Sequence, residues 1–183
     1  MPLDFPDVGI KSFDLRLKRS IAVAESPFTY DQQVYDFGGA RWEAEVTLEP
    51  LSYVDSKKVE AFLIALKGRS GTFRFGNPQH VSLYTVLTSG DSGSIGDEQI
   101  GGIGSYVPAG NYFSLGSYLY LLTQDFIGTG DMQFQPPLRE VIPSGAFVYF
   151  NAPTSLWRLA TNDIGWSSSS TFTSFTIPMV EAL

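Results

Sequence analysis

Cysteine is missing from all 183 residues, and histidine occurs once, at His80. The first absence excludes disulfides, thiol catalysis and Cys-ligated zinc. The second leaves a single chain without a His-rich metal site or a two-histidine mechanism. Charge is sparse as well: 17% of residues are charged, against 43% hydrophobic. No run approaches the roughly 20 apolar residues of a transmembrane helix, so membrane insertion is not expected. The opening MPLDFPDVGI also lacks the basic and apolar regions of a secretion signal. The charge that is present is mostly acidic. A formal net charge of -7 argues against the broad phosphate contacts that nucleic-acid binders make.

What the chain has in quantity is aromatic and turn-forming residues. Aromatics make up 14%, and 18 Gly with 11 Pro punctuate the sequence. That balance suits many short strands rather than long helices. In the first half, 14–23 opens with Leu15 and Leu17 alternating against Arg16 and Lys18, and 28–37 reads as a second strand. Gly38-Gly39 is the expected tight turn, since glycine reaches positive φ without a Cβ clash. Residues 41–49 then alternate cleanly: Trp42, Ala44, Val46 and Leu48 on one face, Arg41, Glu43, Glu45, Thr47 and Glu49 on the other. A period of two over nine residues marks a half-buried strand.

After Pro50, a helix is expected over 56–67. Val59, Phe62, Leu63 and Leu66 form its apolar stripe, Asp55 its N-cap, Val54 and Val59 its hydrophobic staple, and Gly68 its C′ residue. Thr72–Phe75 returns as a strand with both phenylalanines on one face. Val81–Leu87 reads as another strand, and Thr88–Ser105 as a long loop. The rest is all β: strands flank Gly116-Ser117 as a type II′ turn, and 131–135 runs into Pro136-Pro137, which excludes a central strand there. Strands at 146–151, 156–160 and 171–177 follow, with Ser167–Ser170 as a hairpin loop and Val180–Leu183 as a tail. The expected architecture is therefore mainly β, in two sandwich- or barrel-like lobes. Residues 1–80 form the first, with one amphipathic helix packed on its sheet; 81–183 form an all-β second lobe that need not fold alone.

The patterns that carry chemistry are thin. His80 has no G-x-S-x-G elbow to support a triad and reads as a loop or interface residue. Glu43, Glu45 and Glu49 share one strand face, which fits a solvated or channel-lining acidic surface better than a glycosidase pair. The stretch from Gly90 to Asp97 has no lysine of a phosphate loop and no EF-hand spacing. A calcium site from Asp91, Asp97 and Glu98 competes there with a plain flexible connection. Arg139, Trp157 and Arg158 are candidate interface residues, because arginine and tryptophan anchor protein interfaces. An arginine stem packed over an aromatic is the simpler alternative. Tyr112, Tyr118, Tyr120 and Trp157 would make a sugar-stacking platform if they shared one open face.

Three passages together resemble a known family. The first runs from Arg41-Trp42-Glu43 through Leu66-Lys67-Gly68 to Gly71-Thr72-Phe73-Arg74-Phe75-Gly76-Asn77-Pro78. The second is Gly110-Asn111-Tyr112-Phe113-Ser114-Leu115-Gly116 with Tyr118-Leu119-Tyr120, followed by Pro136-Pro137-Leu138-Arg139. The third is Leu156-Trp157-Arg158-Leu159 with Phe175-Thr176-Ile177 and Glu181-Ala182-Leu183. In order and spacing, over about 14–183, they resemble the distal tail and related minor tail-tip proteins of long-tailed, siphovirus-like bacteriophages. Gly110-Asn111 stands where that family often has Gly-Asp.

The resemblance implies a structural virion protein and no enzyme, with no catalytic, cofactor or metal residues to carry over. It implies a ring, commonly a homohexamer, that joins the tail tube protein to the tail-tip hub protein after assembly in the host cytoplasm. The first lobe would be the tube-joining ring domain, and DNA would only pass through, without specific binding. A carbohydrate-binding β module of the tail tip is the alternative. A chain of this length approximates a sphere of about 20 Å radius; three touching spheres leave a hole of roughly 6 Å, and six leave about 40 Å, enough for duplex DNA. An acidic lumen would let phosphates slide without sticking.

Overall fold

The computed structural model describes residues 2–77, 84 and 87–183. His80 and most of the strand expected at 81–87 lie outside the described residues. The strands in chain order are β1 (Leu3–Asp4), β2 (Ile10–Glu25) and β3 (Gln32–Leu48), then helix α1 (Tyr53–Ala65) and β4 (Phe73–Gly76). Next come β5 (Leu87–Ser89), β6 (Gln99–Ile103), β7 (Tyr112–Leu115), β8 (Tyr118–Leu122), β9 (Thr129–Gln135) and β10 (Phe147–Tyr149). Last are β11 (Thr154–Leu159), β12 (Ser167–Ser168), β13 (Thr173–Ser174) and β14 (Thr176–Glu181). The chain is mainly β, with one α-helix among the described residues.

Two large sheets form. One has six strands in the order β1-β4-β11-β14-β3-β2. The other is a closed six-stranded barrel, β10-β5-β6-β9-β8-β7, and β12-β13 is a separate ribbon. Sheet membership therefore does not divide at residue 80. β11 and β14, read from sequence as parts of the second lobe, complete the first sheet, and the barrel is threaded between β4 and β11. Its entry and exit are adjacent, because Gly76 at the end of β4 is the register partner of Thr154 at the start of β11. Alternation in β11 and β14 shows that each has a buried face; it does not say which sheet buries it.

The best sequence signals hold. Trp42, Ala44, Val46 and Leu48 are buried, as are Phe73 and Phe75. The helix stripe Val59, Phe62, Leu63 and Leu66 is buried against the same sheet. The helix begins earlier than expected, and Ser52 caps it. The Ser52 hydroxyl accepts from the Asp55 N–H at 3.3 Å and donates to the Asp55 carboxylate at 3.0 Å, so the cap is reciprocal. Val54 is exposed and makes no staple, and Tyr53 and Ile64 are exposed with it. At the other end the left-handed residue is Lys67 (φ 52), one before Gly68 (φ 66).

Other turns move as well. Gly38-Gly39 is not a hairpin turn: β3 runs straight through it, and the ladder to β2 is irregular between Arg19 and Ile21. The actual turn is Ser26–Asp31, closed by the Ser26 N–H donating to the Asp31 carbonyl at 2.9 Å. Gly116 (φ 63) does turn β7 into β8 as expected. The expected loop 88–105 contains β6, whose Gly101 and Gly102 obscure the strand pattern. A Cβ on Gly101 would meet Asp91 Oδ2 at 2.5 Å and one on Gly102 would meet the Met132 side chain at 3.0 Å, so a larger residue would require those side chains to shift. The expected tail 180–183 is instead structural: β14 extends to Glu181, and Val180, Glu181 and Ala182 are buried.

The barrel core centres on Phe113, fully buried, with the rings of Tyr120, Phe134 and Phe150 at 5.6, 5.6 and 5.2 Å. Phe113→Ala should lower stability by roughly 3–5 kcal/mol in urea unfolding, because the surrounding rings cannot collapse into the gap.

Candidate functional site

Two of the three candidate interface residues lie inside the chain. Trp157 is buried on β11, with its indole Nε1 donating to the Phe75 carbonyl at 3.0 Å. Arg139 follows β9 and reaches across to the six-stranded sheet. Its Nη2 donates to the Ala40 carbonyl and lies 3.4 Å from Glu181 Oε2. The Glu181 side chain is 0% exposed, and its Oε2 also accepts from the Trp42 N–H at 3.1 Å. Trp42 Nε1 donates to the Leu119 carbonyl at 2.8 Å, and the Tyr120 hydroxyl accepts from the Arg139 N–H at 3.3 Å. Arg139 and Trp42 bridge the sheet and the barrel, whereas the Trp157 hydrogen bond stays within the six-stranded sheet. Arg158 lies half-buried on the outer face of the sheet, with Nη1 donating to the Arg69 carbonyl at 3.3 Å.

The expected acidic face is a face of mixed sign. Glu43 Oε1 accepts from Arg41 Nε and Nη2 at 3.0 and 2.7 Å and lies 3.5 Å from Lys18 Nζ. Arg41 above all holds the Glu43 carboxyl below the usual carboxylate value. Register places Arg16 opposite Glu43 and Asp14 opposite Glu45. Glu49 lies beyond β3, exposed beside Gly9. Arg41 stands on β3 itself, and Lys18 and Arg16 are added from β2, which the pattern of β3 alone does not show.

The largest unpartnered feature is one the sequence patterns did not single out. The distal half of β2 and β3 forms a two-stranded arm. From residue 18 to 39 every residue but Ser26 is exposed. Ile21, Val23, Val34, Tyr35 and Phe37 are 45–70% exposed along it, and Phe28 at the tip is 90% exposed. Both faces carry apolar side chains, so there is no alternation, and this loss of period two after Ser20 is the signal that was present. At the arm root a cleft of about 320 Å³, mostly apolar, is bordered by Lys18, Arg19, Gly39, Arg41 and Leu183.

The tyrosines do not share an open face. Tyr120 and Trp157 are buried, and Tyr112 packs edge-on against Trp42 at 5.8 Å. A different pair is exposed on the barrel: Phe147 and Tyr149, with ring centroids 6.1 Å apart and 57% and 45% exposed. Among the described residues no three metal-ligating side chains gather at one point. Asp97 is engaged as a turn acceptor from the Ser94 N–H at 2.7 Å. No helix among those residues is long and apolar enough to cross a membrane. Neither a protein-family model nor a curated protein sequence matches the chain.

Burial pushes the Glu181 carboxyl above its ordinary value of 4.5, against the pull of the Trp42 N–H and Arg139. A carboxyl raised in the folded state holds its proton longer than in the unfolded chain. Its contribution to stability is full below the ordinary value and declines as pH rises through the folded one. Arg139→Met leaves that carboxyl buried without a cation and should cost roughly 3–5 kcal/mol at neutral pH. The loss should shrink below the ordinary carboxyl value, where the raised group is protonated; urea unfolding at about pH 4 and about pH 8 measures the difference.

Proposed function

We propose that this chain is a structural virion protein, a ring-forming subunit of a phage tail tip that joins the tail tube to the hub and lets DNA pass. The arm is the observation that carries the reading. A lone two-stranded ribbon is marginal in water, and one with Ile, Val, Tyr and Phe on both faces is suited to burial against another subunit. The motif order described above supports the same reading. The outer sheet face, with its paired charges, suits a solvated surface. Replacing residues 21–37 by a short Gly-Ser turn should leave the unfolding midpoint of the core nearly unchanged and abolish the ring. Native mass spectrometry and electron microscopy of the parent chain test the reading, and a parent that stays a single copy overturns it.

The exposed Phe147–Tyr149 pair favours one second reading, a barrel that contacts host-surface carbohydrate, since aromatic faces stack on sugar rings. On that reading, replacing both residues with alanine should remove glycan-array binding by at least tenfold with no change in assembly.

A further inference from the structure

We infer that the acidic arm of one copy docks into the basic cleft at the arm root of the next copy. The inference rests on the ring reading above and names the contact that closes the ring. Charge is segregated along one hairpin. Residues 20–38 contain Glu25, Asp31 and Asp36 and no lysine or arginine, whereas the cleft is bordered by Lys18, Arg19 and Arg41. Lys18 and Arg41 share the single carboxylate of Glu43, and Arg19 donates to the neutral Gln135 side chain, so the root keeps an excess of positive charge. Apolar character matches too: Phe28 projects from the tip, and the cleft lining is mostly apolar.

An arm cannot fill its own cleft. Eight extended residues separate Ser20 from Phe28, so the tip stands about 27 Å from the root. That reach fits the neighbour. In a sixfold ring, equivalent points one subunit apart are separated by their distance from the axis, so roots at about 27 Å radius would each receive the adjacent tip. Tip and cleft are different surfaces of one chain, so the contact is head-to-tail and repeats until the rotation closes. Opposed charge sets the direction, and the apolar tip supplies buried area.

The test is a charge swap read by native mass spectrometry. One variant carries Glu25→Lys and Asp31→Lys, the other Lys18→Glu and Arg19→Glu. All four positions are exposed, and circular dichroism checks that each variant remains folded. Each variant alone should assemble at least tenfold more weakly than the parent, and an equimolar mixture should recover rings of alternating subunits. The native chain has no cysteine, so Ser20→Cys with Thr29→Cys should give a ladder of disulfide-linked copies on oxidation. Rings that persist in both swaps, swaps whose mixture stays apart, or assembled rings without the ladder overturn the docking while the ring reading stands. A parent chain that remains a single copy at about 1 mM overturns the ring reading, and the docking with it.

Discussion

A carboxylate taken fully out of water must find partners, and Glu181 organises the molecule around that need. It sits on the buried face at the end of β14, and neither of its principal partners is near in sequence. The Trp42 N–H comes from β3 and the Arg139 guanidinium from beyond β9. Both contacts fall on Oε2, where they hold the barrel against the sheet, while the buried Oε1 has no hydrogen-bond partner. The indole of Trp42 reinforces the joint from the sheet side by donating to Leu119. The Leu156 N–H does the same by donating to the Ser117 carbonyl.

The joint also governs the arm. Arg139 donates to the carbonyl of Ala40, the first buried residue below the exposed ribbon. The arm thus leaves the body from a point clamped by both sheets. That contact fixes the direction in which the ribbon leaves the body. Elsewhere the surface looks self-sufficient. On the outer sheet face Glu43 is matched by Arg41 and Lys18, and on the helix Lys57 pairs with Glu60 and Lys58 with Asp55. Apolar exposure runs continuously along the arm and recurs at the Phe147–Tyr149 pair, on the outer side of the helix and at barrel-side residues such as Ile95, Ile127 and Val141.

Much of the fold was legible where one face of an element is buried and the period is clean. The nine-residue alternation around Trp42, the helix stripe and the Phe73/Phe75 pair all lie where their spacing places them. Legibility failed where glycine obscured a strand, as at Gly101-Gly102, and where a ribbon has no buried face, as in the arm. It failed at the caps by a few residues, because Ser52 and Asp55 are both good capping residues and only the chain path decides between them. For the candidate site, Arg139, Trp157 and Arg158 stood out as anchors, but that Arg139 reaches from beyond β9 to the six-stranded sheet, while Trp157 and Arg158 bond within their own lobe, is a long-range matter.

Residue pattern by itself determined the β-rich class, the single helix and the buried face of its strongest strand, because these depend on neighbours two to four residues apart. Tertiary structure alone decided that β11 and β14 return to the first sheet, that the acidic stripe of β3 meets cations from β2, and that Glu181 is core rather than tail. Each of those outcomes turns on which distant segment lies alongside, and side-chain periodicity carries no record of a partner.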